Sequence, residues 1–186
     1  MAYGSYCFRR TEMPLILRKL HPEDESSFLD AVRECEADSL DYNFAVGFKH
    51  EKGFSTFRKQ QEQWSQGKDL PMGFVPCSYY VGVLEDRIVG RIFLRHELND
   101  FLARIGGHLG YCVVPSFRRQ GIATQMLKMS LPICAEMGLE KILVTCNVDN
   151  VASRKVIEKC GGIFEGITDE PEIEIQKRKY WIPTIG

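Results

Sequence analysis

One short segment of the sequence combines glycine, small and basic residues in a way that suits it to bind an anion. It follows an apolar stretch that ends at Val113-Val114-Pro115, and it contains Arg118, Gly121 and Ala123 before an apolar helical pattern begins. A helix that starts here directs about four unpaired backbone N–H groups and a partial positive charge toward one point. Because Gly121 and Ala123 leave the backbone accessible, a phosphate or pyrophosphate is a natural occupant of this turn.

Spacing alone also permits a plain connection between a strand and a helix, with Arg118 and Arg119 hydrated at the surface. Other phosphate motifs fit less well. The pattern G-x-x-x-x-G-K-[ST] is absent, and the glycines within residues 106–110 have the wrong spacing for a dinucleotide site and precede a strand. The sequence therefore favours a pyrophosphate-bearing ligand other than a nucleoside triphosphate or a dinucleotide.

The elements that must position this turn alternate between strands and helices. Period-two patterns predict strands at residues 15–20, 79–84, 88–94, 108–114, 142–146, 163–167 and 173–182. Helical spacing and end signals predict helices from about residue 23 to 37, 54 to 64, 121 to 137 and 150 to 160. We expect a mixed α and β chain with one domain over residues 14–186, preceded by a flexible arm over residues 1–13.

Composition limits the kinds of partner. The 186 residues are 44% hydrophobic, enough for one full core. Lysine and arginine (24) nearly balance aspartate and glutamate (25), so no overall field favours nucleic acid or an anionic membrane as a partner. No apolar run is long enough to span a bilayer, and the first residues lack the layout of a secretory signal. We expect a cytoplasmic protein.

The cysteines indicate neither disulfides nor a metal site. Seven are present, an odd number, and none forms a C-x-x-C pair. Most lie in apolar stretches, where a free thiol packs as a small hydrophobe in a reducing compartment. Cys146, at the end of a buried strand without a nearby base, is interpreted in the same way rather than as a nucleophile.

Two motifs in order carry a family resemblance. Arg118-x-x-Gly121-x-Ala123, after its strand, resembles the R/Q-x-x-G-x-G/A motif of the GNAT superfamily of acetyl-CoA-dependent N-acyltransferases. Residues 150–161 are similar to that superfamily's asparagine-led helix, which ends in a glycine and precedes a strand. The sequence also resembles members of a poorly characterised subgroup of predicted acetyltransferases. This closer resemblance lies in residues 94–96, 106–111, 145–147 and 180–182.

The resemblance implies a fold and an activity. The fold is α/β (α+β), a single GNAT-like domain whose central mixed, mostly antiparallel sheet of about six to seven strands is flanked by helices. The activity is transfer of the acetyl group of acetyl-CoA directly to a primary amine, with acetyl-CoA as cosubstrate and no metal. The acceptor is a small-molecule or peptide amine, and the protein is a monomer or a homodimer.

The resemblance also implies residue roles. The backbone of β-strand residues 111–113 would contact the pantetheine arm and the thioester, with the Val113 amide stabilising the oxyanion. The turn at residues 119–124 would surround the pyrophosphate. Asn150 would reach the arm or, alternatively, serve only as a helix N-cap. The full set implied to bind the cosubstrate is Tyr111, Cys112, Val113, Arg118, Arg119, Gln120, Gly121, Ile122, Ala123, Thr124, Asn150 and Ser153.

The sequence departs from the family at one catalytic position. The tyrosine that often follows the helix asparagine by seven residues is Ile157 here. Tyr111 or Tyr180 could replace it as general acid, and His108 could act as base or end a water chain, although a structural histidine is an equal alternative.

Two interpretations concern residues and activities outside the motifs. The basic run at residues 177–179 is interpreted as a solvated strand edge rather than a nucleic-acid patch. Two other functions stay open, namely O-acyl transfer and non-catalytic sensing or scaffolding by an acetyl-CoA-binding pocket.

Overall fold

The computed structural model describes residues 14–38, 43–170 and 175–184. The predicted arm at residues 1–13 lies outside the described residues. The strands are β1 Ile16–Lys19, β2 Cys77–Leu84, β3 Arg87–Arg95, β4 Leu109–Val113, β5 Lys141–Asn147, β6 Ile163–Glu170 and β7 Ile175–Pro183. The helices are α1 Glu25–Glu36, α2 Gly53–Ser65, α3 Ile122–Glu136 and α4 Val151–Lys159.

The seven strands form one sheet in the order β1-β2-β3-β4-β5-β7-β6. Every neighbouring pair is antiparallel except β4 and β5, which are parallel. The expected class, a mixed and mostly antiparallel sheet with flanking helices, is confirmed. None of the helices in the described ranges is long and apolar enough to cross a membrane.

Helices cover both faces of the sheet because apolar side chains alternate along the strands. On one face, α1 and α2 pack on β2 and β3 around Phe28, whose ring lies 5.0 to 6.5 Å from the rings of four other phenylalanines. On the other face, α3 and α4 bury Met126, Leu127 and Ile157 against β3, β5 and β7. Ile157 is fully buried, so the position where the family often has a tyrosine is a core position here.

Helix α3 is seated by two glycines of the central hairpin. Gly82 and Gly90 are cross-strand partners in β2 and β3. A Cβ atom at Gly82 would lie 2.5 Å from the Met126 sulfur, and one at Gly90 would lie 2.6 Å from the Met126 methyl carbon and 2.7 Å from the Cys112 carbonyl oxygen. The missing side chains thus make room for Met126 and fix how closely α3 approaches the sheet.

A short helical element before β4 was not predicted from the sequence. Residues Leu102–Gly106 form a single π-helical turn before β4, and the side chain of Asn99 accepts a hydrogen bond from the Leu102 amide at 2.9 Å. A turn of five residues is too short to show a helical period, so the pattern gave no signal for it. It covers β5, where its Ile105 carbonyl accepts a hydrogen bond from the Thr145 hydroxyl at 2.6 Å.

Candidate functional site

The two parallel strands at the centre of the sheet separate soon after they meet. The His108 amide donates to the Leu143 carbonyl at 2.7 Å, and the Leu143 amide donates to the His108 Nδ1 atom at 2.9 Å. The described residues of β4 and β5 then have one paired position, Leu109 with Val144. Beyond it a cleft of about 560 Å³ is lined by the ends of both strands and by the starts of α3 and α4.

The backbone of β4 directs amides into this cleft. Arg95 donates to the His108 carbonyl and Val114 donates to the Val89 carbonyl, so the residues of β4 that bond to β3 have even numbers. In an antiparallel ladder the intervening residues point their backbone groups to the other side. The amides of Tyr111 and Val113 therefore face the gap between β4 and β5.

The turn after β4 brings the start of α3 to the same cleft. Gly121 precedes α3 in the left-handed region at φ 78°, and Arg119 is also left-handed at φ 63°. The Gln125 amide donates to the Gly121 carbonyl and begins the helical ladder, so the amides of residues 122–124 precede the first intrahelical bond. Residues 121–124 line the cleft, where these donors and the helix dipole suit an anion.

The two arginines of the turn have different surroundings. Arg118 forms an ion pair with Asp38 at 2.6 Å, and its Nε atom donates to the Val113 carbonyl at 3.3 Å. It thereby fastens the turn to the end of α1 and to β4, while it also lines the cleft. Arg119 is exposed and lines the cleft. Gln120 does not line the cleft, and its side chain donates a hydrogen bond to the Ser116 carbonyl at 3.4 Å.

Helix α4 forms the opposite wall. The Asn150 side chain accepts a hydrogen bond from the Ser153 amide at 2.9 Å, the N-cap that was one of its two predicted roles, and Asn150 also lines the cleft. The Tyr111 hydroxyl lies 2.8 Å from the Ser153 hydroxyl. This contact joins β4 to α4 across the cleft and places one of the predicted general acids inside it.

The other two predicted catalytic residues lie elsewhere. His108 is 6% exposed, and burial, aided by the positive charge of Arg95, lowers its pKa to about 4. Because Nδ1 accepts a hydrogen bond from the Leu143 amide, the neutral ring carries its proton on Nε2. It therefore has no other lone pair with which to accept a proton as a base. Tyr180 is buried beneath the Phe164 ring and donates to Glu158 at 3.4 Å, outside the cleft lining. Both positions favour structural roles.

Two arginines beside β4, the buried Arg91 and the half-buried Arg95, were missed by sequence analysis. Arg91 donates to the carbonyls of Phe44, Gly110 and Asn43 at 3.1, 3.0 and 2.9 Å. Arg95 donates to the carbonyls of Gly106 and Gly107, and burial lowers its pKa to about 10. Their spacing in β3 places both on the face covered by α1 and α2, but only the tertiary structure shows that this face is closed over them.

Lys177 was also missed as a site residue. It was interpreted as part of a solvated edge, yet it lines the cleft, donates to the Asn147 side chain and has a pKa lowered by burial. Its neighbour Lys179 is 20% exposed and forms an ion pair with Glu165 at 2.8 Å. The edge of the sheet is β6 instead, so β7 is an inner strand.

The described cysteines and potential metal ligands form no cluster outside the cleft. The described cysteines, which exclude Cys7, are free and buried, and burial raises the pKa of Cys146, in accord with a packing role. Within the described ranges no group of three or more histidine, cysteine or acidic side chains could hold a metal ion.

Comparison with known proteins places this geometry in context. A family model described as an acetyltransferase (GNAT) domain matches residues 14–163. A curated relative, N-alpha-acetyltransferase 30 of Schizosaccharomyces pombe, is 27% identical over 82 residues, which are 44% of this chain and 55% of that protein. The match thus spans about half the length of that relative.

Two solved structures share the fold. RimJ of Mycobacterium smegmatis, solved in complex with CoA-disulfide, has a TM-score of 0.67 at 19% identity, covering 92% of this chain and 86% of that chain. An acetyltransferase of Salmonella typhimurium that modifies the N-terminal serine of the ribosomal protein L7/L12 has a TM-score of 0.65 at 20% identity, covering 93% and 95%.

Proposed function

This chain belongs to the GNAT acetyltransferase family, and we propose that it transfers the acetyl group of acetyl-CoA to the α-amino group of a peptide or protein N-terminus. The observation that carries the proposal is the cleft between β4 and β5, into which the amides of Tyr111 and Val113 point. The expected acceptor, an unspecified primary amine, is thereby narrowed to one class, the α-amines.

The cleft fits the cosubstrate, which supplies the acetyl group as an activated thioester. The arm of coenzyme A is elongated and carries amide groups, which match the side of β4 that faces the cleft at residues 111–113. The pyrophosphate suits the start of α3, where residues 121–124 line the cleft and a Cβ at Gly121 would meet nothing nearer than the Gln125 side chain at 4.0 Å. Arg119 adds an exposed cationic donor beside this turn.

The Val113 amide is the proposed donor to the oxygen that becomes negative during transfer. It belongs to the strand backbone, so it is held in place before reaction and costs little reorganisation. Removal of one such donor typically costs about 3 to 4 kcal/mol of transition-state stabilisation. Tyr111 is the proposed proton donor to the departing thiolate, and its contact with Ser153 holds its hydroxyl inside the cleft.

The acceptor class follows from the proton balance. Among the described residues that line the cleft there is no carboxylate and no imidazole. Freeing the lone pair of an ordinary lysine at pH 7 costs about 4.6 kcal/mol, whereas an α-amino group with a pKa near 7.8 costs about 1 kcal/mol. A cleft whose described lining offers neither a carboxylate nor an imidazole as base therefore suits an α-amine, and the name of the Schizosaccharomyces pombe relative agrees with this acceptor.

The first experiment measures cosubstrate binding at the α3 turn. Titration of acetyl-CoA into the wild-type protein should give micromolar affinity, and Gly121→Glu should abolish it through bulk and negative charge. Gly138→Glu is the matched control, because Gly138 is also exposed, has φ 82° and lies beyond the other end of α3. Equal losses in both folded variants would show a general effect of strain instead of a site at Gly121.

A second experiment tests the acceptor. A peptide with a free N-terminus should be acetylated faster than the same peptide with a blocked N-terminus and an internal lysine. A faster reaction of the lysine peptide would contradict the α-amine proposal. Transfer to a serine hydroxyl would instead support the O-acyl alternative, and binding without turnover of any acceptor would support the sensor or scaffold alternative.

Two further proposals concern the cellular location and the oligomeric state. The buried free cysteines fit a reducing compartment, so we place the protein in the cytoplasm. A monomer or a homodimer stays the prediction for the oligomeric state, to be measured by sedimentation.

A further inference from the structure

Lys177 of β7 lines the same cleft as Tyr111 and Val113 of β4. It pairs with Asn147 of β5 in the antiparallel register of β5 and β7. Asn147 follows the Leu109–Val144 pair by three residues along β5, as Cys112 does along β4. Counted along the two strands from that pair, Lys177 on the β5 side of the cleft and the Tyr111 and Val113 amides on the β4 side therefore belong to corresponding positions of its two walls.

The surroundings of Lys177 hold it in the cleft without fixing its charge. Its Nζ atom donates to the neutral side-chain amide of Asn147. Among the described residues no carboxylate forms an ion pair with it, whereas Lys179, two residues further along β7, is paired with Glu165. Burial lowers the pKa of Lys177, and electrostatic interactions with Cys146 and Asp149 oppose the shift. The neutral amine is thus more accessible here than at an ordinary surface lysine.

We propose that Lys177 is an internal acceptor of this enzyme, acetylated on Nζ by the cosubstrate bound in the same molecule. The inference rests on the proposed function, because it uses the same cleft and the same thioester. It assigns a modification site to a lysine of the enzyme itself, in addition to the proposed peptide acceptor.

The chemistry is a direct aminolysis. The neutral Nζ atom of Lys177 forms a bond to the acetyl carbon, the bond from that carbon to sulfur breaks, and coenzyme A leaves as its thiolate. The nitrogen loses one proton to solvent, and the thiolate takes up one proton, so no further reactant is required. Proximity replaces the encounter that a lysine in solution would need, and it favours Lys177 over lysines outside the cleft.

The test compares lysines within one protein. Wild type, Lys177→Arg and Lys179→Arg are incubated with acetyl-CoA and no acceptor, and acetylation at each lysine is measured by mass spectrometry of the digested protein. We expect Lys177 to be modified at least about tenfold faster than Lys179 or the exposed Lys155. The rate should be independent of protein concentration, should be suppressed by excess coenzyme A, and should lose its dominant site only in Lys177→Arg.

Acetic anhydride, which needs no cleft, serves as the contrasting reagent. It should modify the exposed lysines before the half-buried Lys177, reversing the order seen with acetyl-CoA. The inference would be overturned if the wild-type protein binds acetyl-CoA and acetylates a peptide but acetylates Lys177 no faster than Lys155. That result would leave the proposed function intact. Absence of acetyl-CoA binding would overturn both.

Discussion

The Nδ1 atom of His108 accepts a hydrogen bond from the backbone amide of Leu143 at 2.9 Å. A side chain of the residue before β4 thus takes the part of a backbone carbonyl at the point where β4 and β5 meet. The reciprocal bond, from the His108 amide to the Leu143 carbonyl, closes the pair. These two bonds hold the apex from which the cleft opens, so the imidazole positions the site without entering it.

The burial of His108 predicts a pH-dependent stability. The pKa of His108 is about 4 in the folded protein against an ordinary value of 6.5, so between these values the unfolded state binds more protons. The free energy of unfolding should therefore fall as the pH drops from about 6.5 to 4, by up to about 3 kcal/mol. Denaturant unfolding at several pH values measures it. His108→Asn, which can accept the same hydrogen bond but does not titrate, should lose this dependence.

The same variant tests whether His108 is a base. If its role is structural, His108→Asn should acetylate a peptide with the pH profile of the wild type. A fall of about 10²-fold in kcat/KM together with a lost acidic limb in a folded His108→Asn would instead make His108 the base.

Tyr111 and Tyr180 form a matched pair for the general acid. Tyr111→Phe should lower kcat by about 10²-fold, because the thiolate then leaves without a positioned proton donor, while the KM for acetyl-CoA changes little. Tyr180→Phe should leave kcat nearly unchanged, since its hydroxyl faces Glu158 outside the cleft. Steady-state kinetics with the better peptide acceptor distinguishes them. Equal losses in both variants would contradict the assignment of Tyr111.

Substitution of Arg118 should lower the free energy of unfolding, whereas substitution of Arg119 should lower the affinity for acetyl-CoA. Arg118→Gln removes the ion pair with Asp38, so the free energy of unfolding should fall by about 1 kcal/mol. Arg119→Gln should leave stability unchanged and weaken acetyl-CoA binding by about three- to tenfold, with a smaller dependence on salt. Calorimetric titration and denaturant unfolding of both variants check this. Unchanged binding in Arg119→Gln would remove that residue from the pyrophosphate site.

Gly82 and Gly90, which lie beneath α3, should differ in how far a smaller residue at position 126 offsets the cost of an added side chain. Gly82→Ala and Gly90→Ala should each destabilise the protein by about 1 to 3 kcal/mol through overpacking. Met126→Ala should relieve much of the cost at Gly82, where the close atoms belong to that side chain. It should relieve less at Gly90, where the Cys112 carbonyl also lies 2.7 Å away. Double-mutant cycles measure both couplings, and equal couplings would contradict this packing.

The motif around Gly121 could be predicted from the sequence because all of its parts are local. A strand, a turn with a glycine and an amphipathic helix are read within one short stretch, and α3 begins at Ile122 as the pattern indicates. The same holds for Asn150, whose N-cap bond reaches only three residues along the chain. The alternation of strands and helices was equally local and led to the correct class.

What the sequence by itself determined, then, is the order of elements, the glycine turn that precedes α3 and the family resemblance, because each rests on neighbours in the chain. Only the tertiary structure decided that Lys177 enters the cleft, that Tyr111 reaches Ser153 and that His108 bonds to Leu143. The two hydrogen bonds join residues 42 and 35 positions apart, and Lys177 reaches the cleft through a strand order that places β7 between β5 and β6. Side-chain type and spacing carry no information on such pairings, since the register between distant strands is set by packing of the whole sheet.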